Sequence, residues 1–189
     1  MTGGILYLSN SSSSDGPAII KSADSCSLLK TQRAVSALNG VLPERSEYSF
    51  DEDLGVSQST EVSDSFSSSC FVRGGESTFL SARAQMMISE ASGTWESAVF
   101  GDELDGTRKA TPFAAGVHGI ASPSKAAAFI PCVPKGQIPG GEYNLSVVVD
   151  LKKRGDSSDS QARKSLIDLT LSAADHAHRA AKCTLPSMI

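Results

Sequence analysis

Residues 140–183 read GGEYNLSVVVDLKKRGDSSDSQARKSLIDLTLSAADHAHRAAKC, and this stretch decides the fold class. Its first half places Tyr143, Leu145, Val147, Val148 and Val149 after a Gly-Gly turn, so Tyr143 to Leu151 is predicted as a strand, the most β-branched run in the chain. The run Lys152-Lys153-Arg154-Gly155 ends it. The serines and aspartates of 156–160 then offer helix caps. From Gln161 to Lys182, Leu166, Leu169, Thr170, Ala173, Ala177 and Ala180 recur at three- and four-residue steps, with Arg163, Lys164, Asp168, Asp175 and Arg179 elsewhere. That periodicity predicts a long amphipathic helix, and its small residues let it lie close against a sheet. Pro186, just past Cys183, stops it.

Upstream, strands are predicted over 125–133 and 113–120, joined by Ala121-Ser-Pro-Ser124. A hairpin closing on Gly74-Gly75 pairs a strand near 66–73 with one over 78–88. The latter sets Leu80, Ala82, Ala84 and Met86 on one face against Phe79, Ser81, Arg83 and Gln85 on the other. Between these strands, 89–105 reads as a loop or short helix carrying Trp95, Val99 and Phe100, with Trp95 and Val99 on one helical face. The segment DSCSLLKTQRAVSALNG (24–40) has a capping residue, apolar positions at Leu28, Leu29, Ala34, Val35 and Leu38, and a terminating Asn-Gly, and so predicts a short helix. Residues 43–69 are rich in Ser, Asp and Glu with isolated apolar residues, and read as loop up to the first strand. The fold class is therefore α+β: a single antiparallel sheet of about five strands, covered by an N-terminal and a long C-terminal helix. The folded domain is expected over 18–189. Residues 1–17 are expected to be a tether, because 9–17 (SNSSSSDGP) lacks apolar periodicity. Ile5 to Leu8 reads either as the remnant of an upstream membrane or signal segment or as a first strand.

A chain of 189 residues can bury one sizeable core. A net charge of −4 gives no basic footprint, so nucleic acid is not an expected partner. With aromatics at 6%, stacking platforms for bases or sugars are scarce. The four cysteines, Cys26, Cys70, Cys132 and Cys183, are widely spaced and form no C-x-x-C knuckle. An even count without such a motif points to two disulfides in an oxidising compartment, with four buried free thiols as the alternative. Three connectivities are open to sequence. Joining each terminal cover to the sheet favours Cys26 with Cys70 and Cys132 with Cys183.

The S-C-S-L-L segment at 25–29, the S-C-F-V strand at 69–72, the A-A-A-F-I-P-C strand ending in Cys132 and the final A-H-R-A-A-K-C ending in Cys183 together resemble secreted or membrane-tethered envelope proteins of actinobacteria, lipoprotein-like families of uncharacterised role. The resemblance covers about 24–183 and rests on hydrophobic pattern plus cysteines. It implies an extracytoplasmic domain, secreted or held at the outer face of the membrane through the segment upstream of Ser9. No lipobox is present in these residues.

Chemistry-bearing motifs are few. His118 sits in Gly116-Val-His-Gly-Ile120, where the glycines suggest a bulge or tight turn. His176 and His178 are two apart on the predicted helix and so diverge by about 200°, too far to share a metal. His178 has Asp175 as a possible partner on its face. Asp51-Glu52-Asp53 and 102–106 (DELDG) offer oxygens for calcium but do not match an EF-hand loop, and they read as solvated loops. The sequons at Asn10 and Asn144 match a tripeptide common by chance. There is no G-x-S-x-G, G-x-G-x-x-G or Walker pattern, so neither a cofactor nor a metal is expected. The expected function is a non-catalytic extracytoplasmic domain that binds an envelope component or a partner protein through its sheet face or loops. The alternative is a small secreted hydrolase using His118.

Overall fold

Seven antiparallel strands form one sheet in the order β1-β2-β3-β7-β6-β5-β4: β1 (Ser49–Gly55), β2 (Ser67–Gly74), β3 (Ser77–Ile88), β4 (Thr111–Phe113), β5 (His118–Ala121), β6 (Lys125–Ile138) and β7 (Gly141–Leu151). Among the described residues three α-helices accompany it: α1 (Gln32–Val41), α2 (Ser92–Phe100) and α3 (Asp159–Ala180). The structure is a computed structural model that describes residues 16–55, 62–101, 110–116 and 118–189. The α+β class, the antiparallel sheet and the two disulfides agree with the sequence, but seven strands replace the expected five.

The two additional strands have separate causes. β1 lies within the segment read as loop. It is an edge strand with almost no buried face, so its Asp51, Glu52 and Asp53 carry no apolar alternation. The run expected as one strand over 113–120 is divided into β4 and β5 around Gly116, whose φ is 56°. A Cβ at Gly116 would sit 2.5 Å from the Phe129 carbonyl oxygen, so the chain bends there against β6 at a distance only glycine allows.

The first helix is also shorter than expected. Ser27–Leu29 form a 3₁₀ turn, and α1 starts only after Thr31, whose hydroxyl accepts from Ala34 N–H. Cys26 therefore precedes the turn rather than lying in a helix. At the other end, Ser158 and Gln161 form a reciprocal capping box that begins α3.

Register defines two faces. Cys70, Val72, Leu80, Ala82, Ala84, Ile130, Leu145, Val147 and Val149 share the first. α1 and α3 cover it, with Leu166, Leu169, Ala173 and Ala177 fully buried in one core. The helices are joined to each other through Thr31 Oγ1 to Ser172 Oγ at 3.0 Å and Arg33 to Asp168 at 2.6 Å. Cys26–Cys70 fixes the N-terminal 3₁₀ turn to β2, and Cys132–Cys183 fixes the end of α3 to β6. Beyond the second bridge, Thr184 and Leu185 N–H both donate to the Cys132 carbonyl, tying the tail to the same strand.

His176 on α3 is half-buried, and burial holds its imidazole below the usual range. The charge of Arg179 adds to this, while Glu52 and Asp175 oppose it. The folded protein thus binds this proton less readily than the unfolded chain. The stability contributed by the neutral ring is complete above the ordinary value of 6.5 and is lost as the pH falls below it. The urea midpoint should drop on acidification through this window, and His176→Gln should flatten the drop; an unchanged pH profile in the variant would contradict the assignment.

Candidate functional site

Among the described residues, α2 covers only part of the second face. Its residues run from Ser69 and Phe71 through Ser81, Arg83 and Gln85, then Ser146, Val148 and Asp150, to Lys125, Ala127, Phe129, His118 and Ile120. α2 packs over the last of these. Trp95, Phe100, Ile120, Ala127 and Phe129 make a second, smaller core there. Trp95 anchors the helix: it is fully buried, its ring stacks on Phe129 with centroids 5.1 Å apart, and its Nε1–H donates to Ser146 Oγ at 2.9 Å. Lys125 Nζ donates to the Val99 carbonyl at 3.1 Å near the helix C-terminus, where a cation is favoured.

Beside α2, a groove of about 360 Å³ lies over the sheet. β3 and β7 provide its floor with Ser81, Arg83, Gln85, Val148 and Asp150, and α2 provides its wall with Ala98 and Val99. This volume lies within the range of small-ligand sites, and the lining combines an apolar wall with a few polar groups. Arg83 belongs to the floor, and its guanidinium carbon lies 5.7 Å from the centre of the Phe71 ring, within cation–π range. Asp150 and Lys152 pair at 3.0 Å at one end.

A larger cavity of about 570 Å³ lies between 17–22 and α1, lined by Val35, Asn39 and Tyr48 among others. One of its walls is an irregular segment, held by the Asn39 amide, which exchanges two hydrogen bonds with the Ile20 backbone, and by Ala18 N–H donating to the Arg45 carbonyl. The groove beside α2 is instead built on paired strands and a helix fixed by a buried tryptophan, the more rigid platform for recognition.

His118, on β5, lies outside the lining of both cavities. Its Nε2 is 2.9 Å from Glu96 Oε2 on α2, and its ring meets Trp95 edge-on at 6.0 Å. Its partner is a carboxylate, and among the described residues no hydroxyl is hydrogen-bonded to the ring. The other histidines serve α3. His178 Nε2 engages the Leu185 carbonyl at 2.8 Å rather than Asp175, which pairs with Arg179 at 2.6 Å. The tail beyond Cys183 folds back far enough to offer that carbonyl, a contact invisible to helical spacing.

Asp51 and Glu52 lie on opposite faces of β1: Asp51 pairs with Arg73 at 2.7 Å, and Glu52 accepts from Ser27 N–H at 2.9 Å. Among the described residues, no group of three or more His, Cys, Asp or Glu side chains gathers to hold a metal. The acidic run 102–106, Asn10 and Ile5 to Leu8 lie outside the described residues. Asn144 is buried in β7 and donates to Ser89 Oγ, so its sequon is closed to a glycan. No helix among the described residues is long and apolar enough to cross a membrane.

The sequence placed Ser81, Arg83 and Gln85 on one face of a strand, but not the groove they line. That depends on where α2 lands, and the only signal was Trp95 and Val99 sharing a helical side. Comparison with protein-family models finds no match, and comparisons with curated proteins and with solved structures likewise find none.

Proposed function

We propose that this chain is an extracytoplasmic, non-catalytic binding domain that engages a component of the cell envelope, or a partner protein, in the groove beside α2. The observation that carries this reading is the groove itself, a concave floor of paired strands beside a helix locked by Trp95. Two disulfides suit an oxidising compartment, which supports work outside the cytoplasm.

The His118–Glu96 contact favours a second reading, a small hydrolase. Against it, a general base needs a nucleophile within reach, and the Glu96 carboxylate already engages Nε2 of the ring. Both readings meet in one experiment. Titrating the isotope-labelled protein with solubilised envelope fractions should shift the amides of Gln85, Val99 and Val148, and ester or amide substrates should remain intact. Hydrolysis that disappears in His118→Ala, with no shift at the groove, would replace the binding reading by the catalytic one.

A further inference from the structure

Resting on that reading of the groove, we infer that its ligand is a small amphipathic carboxylate, whose anionic group meets Arg83 and whose aliphatic body lies along α2. Charge complementarity selects the head group. Arg33, Arg73, Arg154 and Arg179 each pair with an aspartate, and Arg163 donates to the carbonyls of Ala121, Thr111 and Pro112. Arg83 has no carboxylate among the described residues; it has only the Phe71 ring beneath it. Arg45 also rests on a ring, that of Phe79, but lines neither cavity described above.

The cation–π contact with Phe71 leaves the donors of the Arg83 guanidinium free, and a free planar fork is suited to bidentate capture of a carboxylate. The other charges of the groove, Asp150 and Lys152, satisfy each other at 3.0 Å. Among the described residues one uncompensated positive charge remains, matched by one monoanion. A dianion would face Asp150 with charge to spare, and a cationic ligand would meet Arg83 with no free carboxylate among the described residues to receive it. The body of the ligand follows from the wall: Ala98 and Val99 on α2 face Met87 and Val148 across the groove, all four at least partly accessible. An alkyl chain laid there removes apolar surface from water without burying a polar group.

The probes are octanoate, octan-1-ol and octylammonium, titrated into the intact, oxidised chain and followed by backbone amide shifts. Octanoate should bind with a dissociation constant in the millimolar range, the scale set by so few ligand atoms. It should be preferred over the other two probes by at least about tenfold, as a charge-assisted hydrogen bond would confer. Arg83→Gln should reduce octanoate to the affinity of octan-1-ol. Arg83→Lys should keep part of the preference, having the charge without the fork. Val99→Asp should abolish octanoate binding by placing an anion in the apolar wall. Arg83 is exposed, so its variants should keep the wild-type melting temperature. Equal affinity for octanoate and octan-1-ol, or a preference unchanged in Arg83→Gln, would overturn the anionic assignment while leaving the groove a binding site. Absence of any groove shift with all three probes would overturn the ligand class, and the envelope titration then decides separately whether the groove binds at all.

Discussion

Removing the Cys132–Cys183 bridge by the paired substitution Cys132→Ala and Cys183→Ala should lower the melting temperature by roughly 8–16 °C. The bridge closes a sequence separation of 51 residues, and Cys26–Cys70 closes one of 44. Loop-closure entropy assigns each about 4 kcal/mol, and a domain of this size loses about 2–4 °C per kcal/mol. The Cys132–Cys183 bridge should have the more visible local effect, because the tail beyond it is tied to β6 through the Cys132 carbonyl and to α3 through His178. Amide exchange at Thr184 and Leu185 should accelerate in that variant. Reducing both bridges should cost about 8 kcal/mol, within the 5–15 kcal/mol of an ordinary domain's entire stability, so the reduced protein should be unfolded or nearly so at growth temperature. A reduced protein melting within a few degrees of the oxidised one would show that burial alone holds the fold.

The second large effect belongs to Trp95. Trp95→Ala should destabilise by about 3–5 kcal/mol, the range for truncating a fully buried aromatic residue. The loss combines the stack on Phe129 with the cavity left under α2, and the Ser146 hydroxyl would lose its donor. Trp95→Phe should cost less, keeping an aromatic face for Phe129 but not the indole N–H. Because Trp95 is the only tryptophan, the wild-type emission spectrum reads the docking of α2 directly, and red-shifted emission in the native protein would contradict a buried ring. Loosening α2 also removes the wall of the groove, so Trp95→Ala should weaken binding there even at temperatures where the sheet remains folded.

The legible parts of this fold are those whose neighbours lie close in sequence or bury a complete face. β7 announces itself because its alternate residues Leu145, Val147 and Val149 enter one core and Val148 rests against another. α3 does so because eight of its residues are buried on one side. β1 is not legible, since an edge strand paired on one side needs no apolar residues and Asp51-Glu52-Asp53 resembles any solvated loop. The division between β4 and β5 depends on how near the Phe129 carbonyl comes to Gly116, a distance set by β6 and absent from the local sequence. The candidate site was half visible. The alternation of β3 separated Arg83 and Gln85 from the core-facing set, but whether that face meets solvent, a helix or both is decided by the landing of a nine-residue helix with no side-chain cap at its start. Arg83 stands out only once the partners of the other described arginines have been traced and Arg45, which also rests on a ring, is seen to line neither cavity.

The central claim is a doubly bridged domain working in an oxidising compartment, and peptide mapping under non-reducing conditions on protein isolated from its own cells, with thiols blocked at lysis, tests it most directly. The account predicts two linked peptide pairs, Cys26 with Cys70 and Cys132 with Cys183, and no alkylated cysteine; four alkylated cysteines in the folded protein would contradict it.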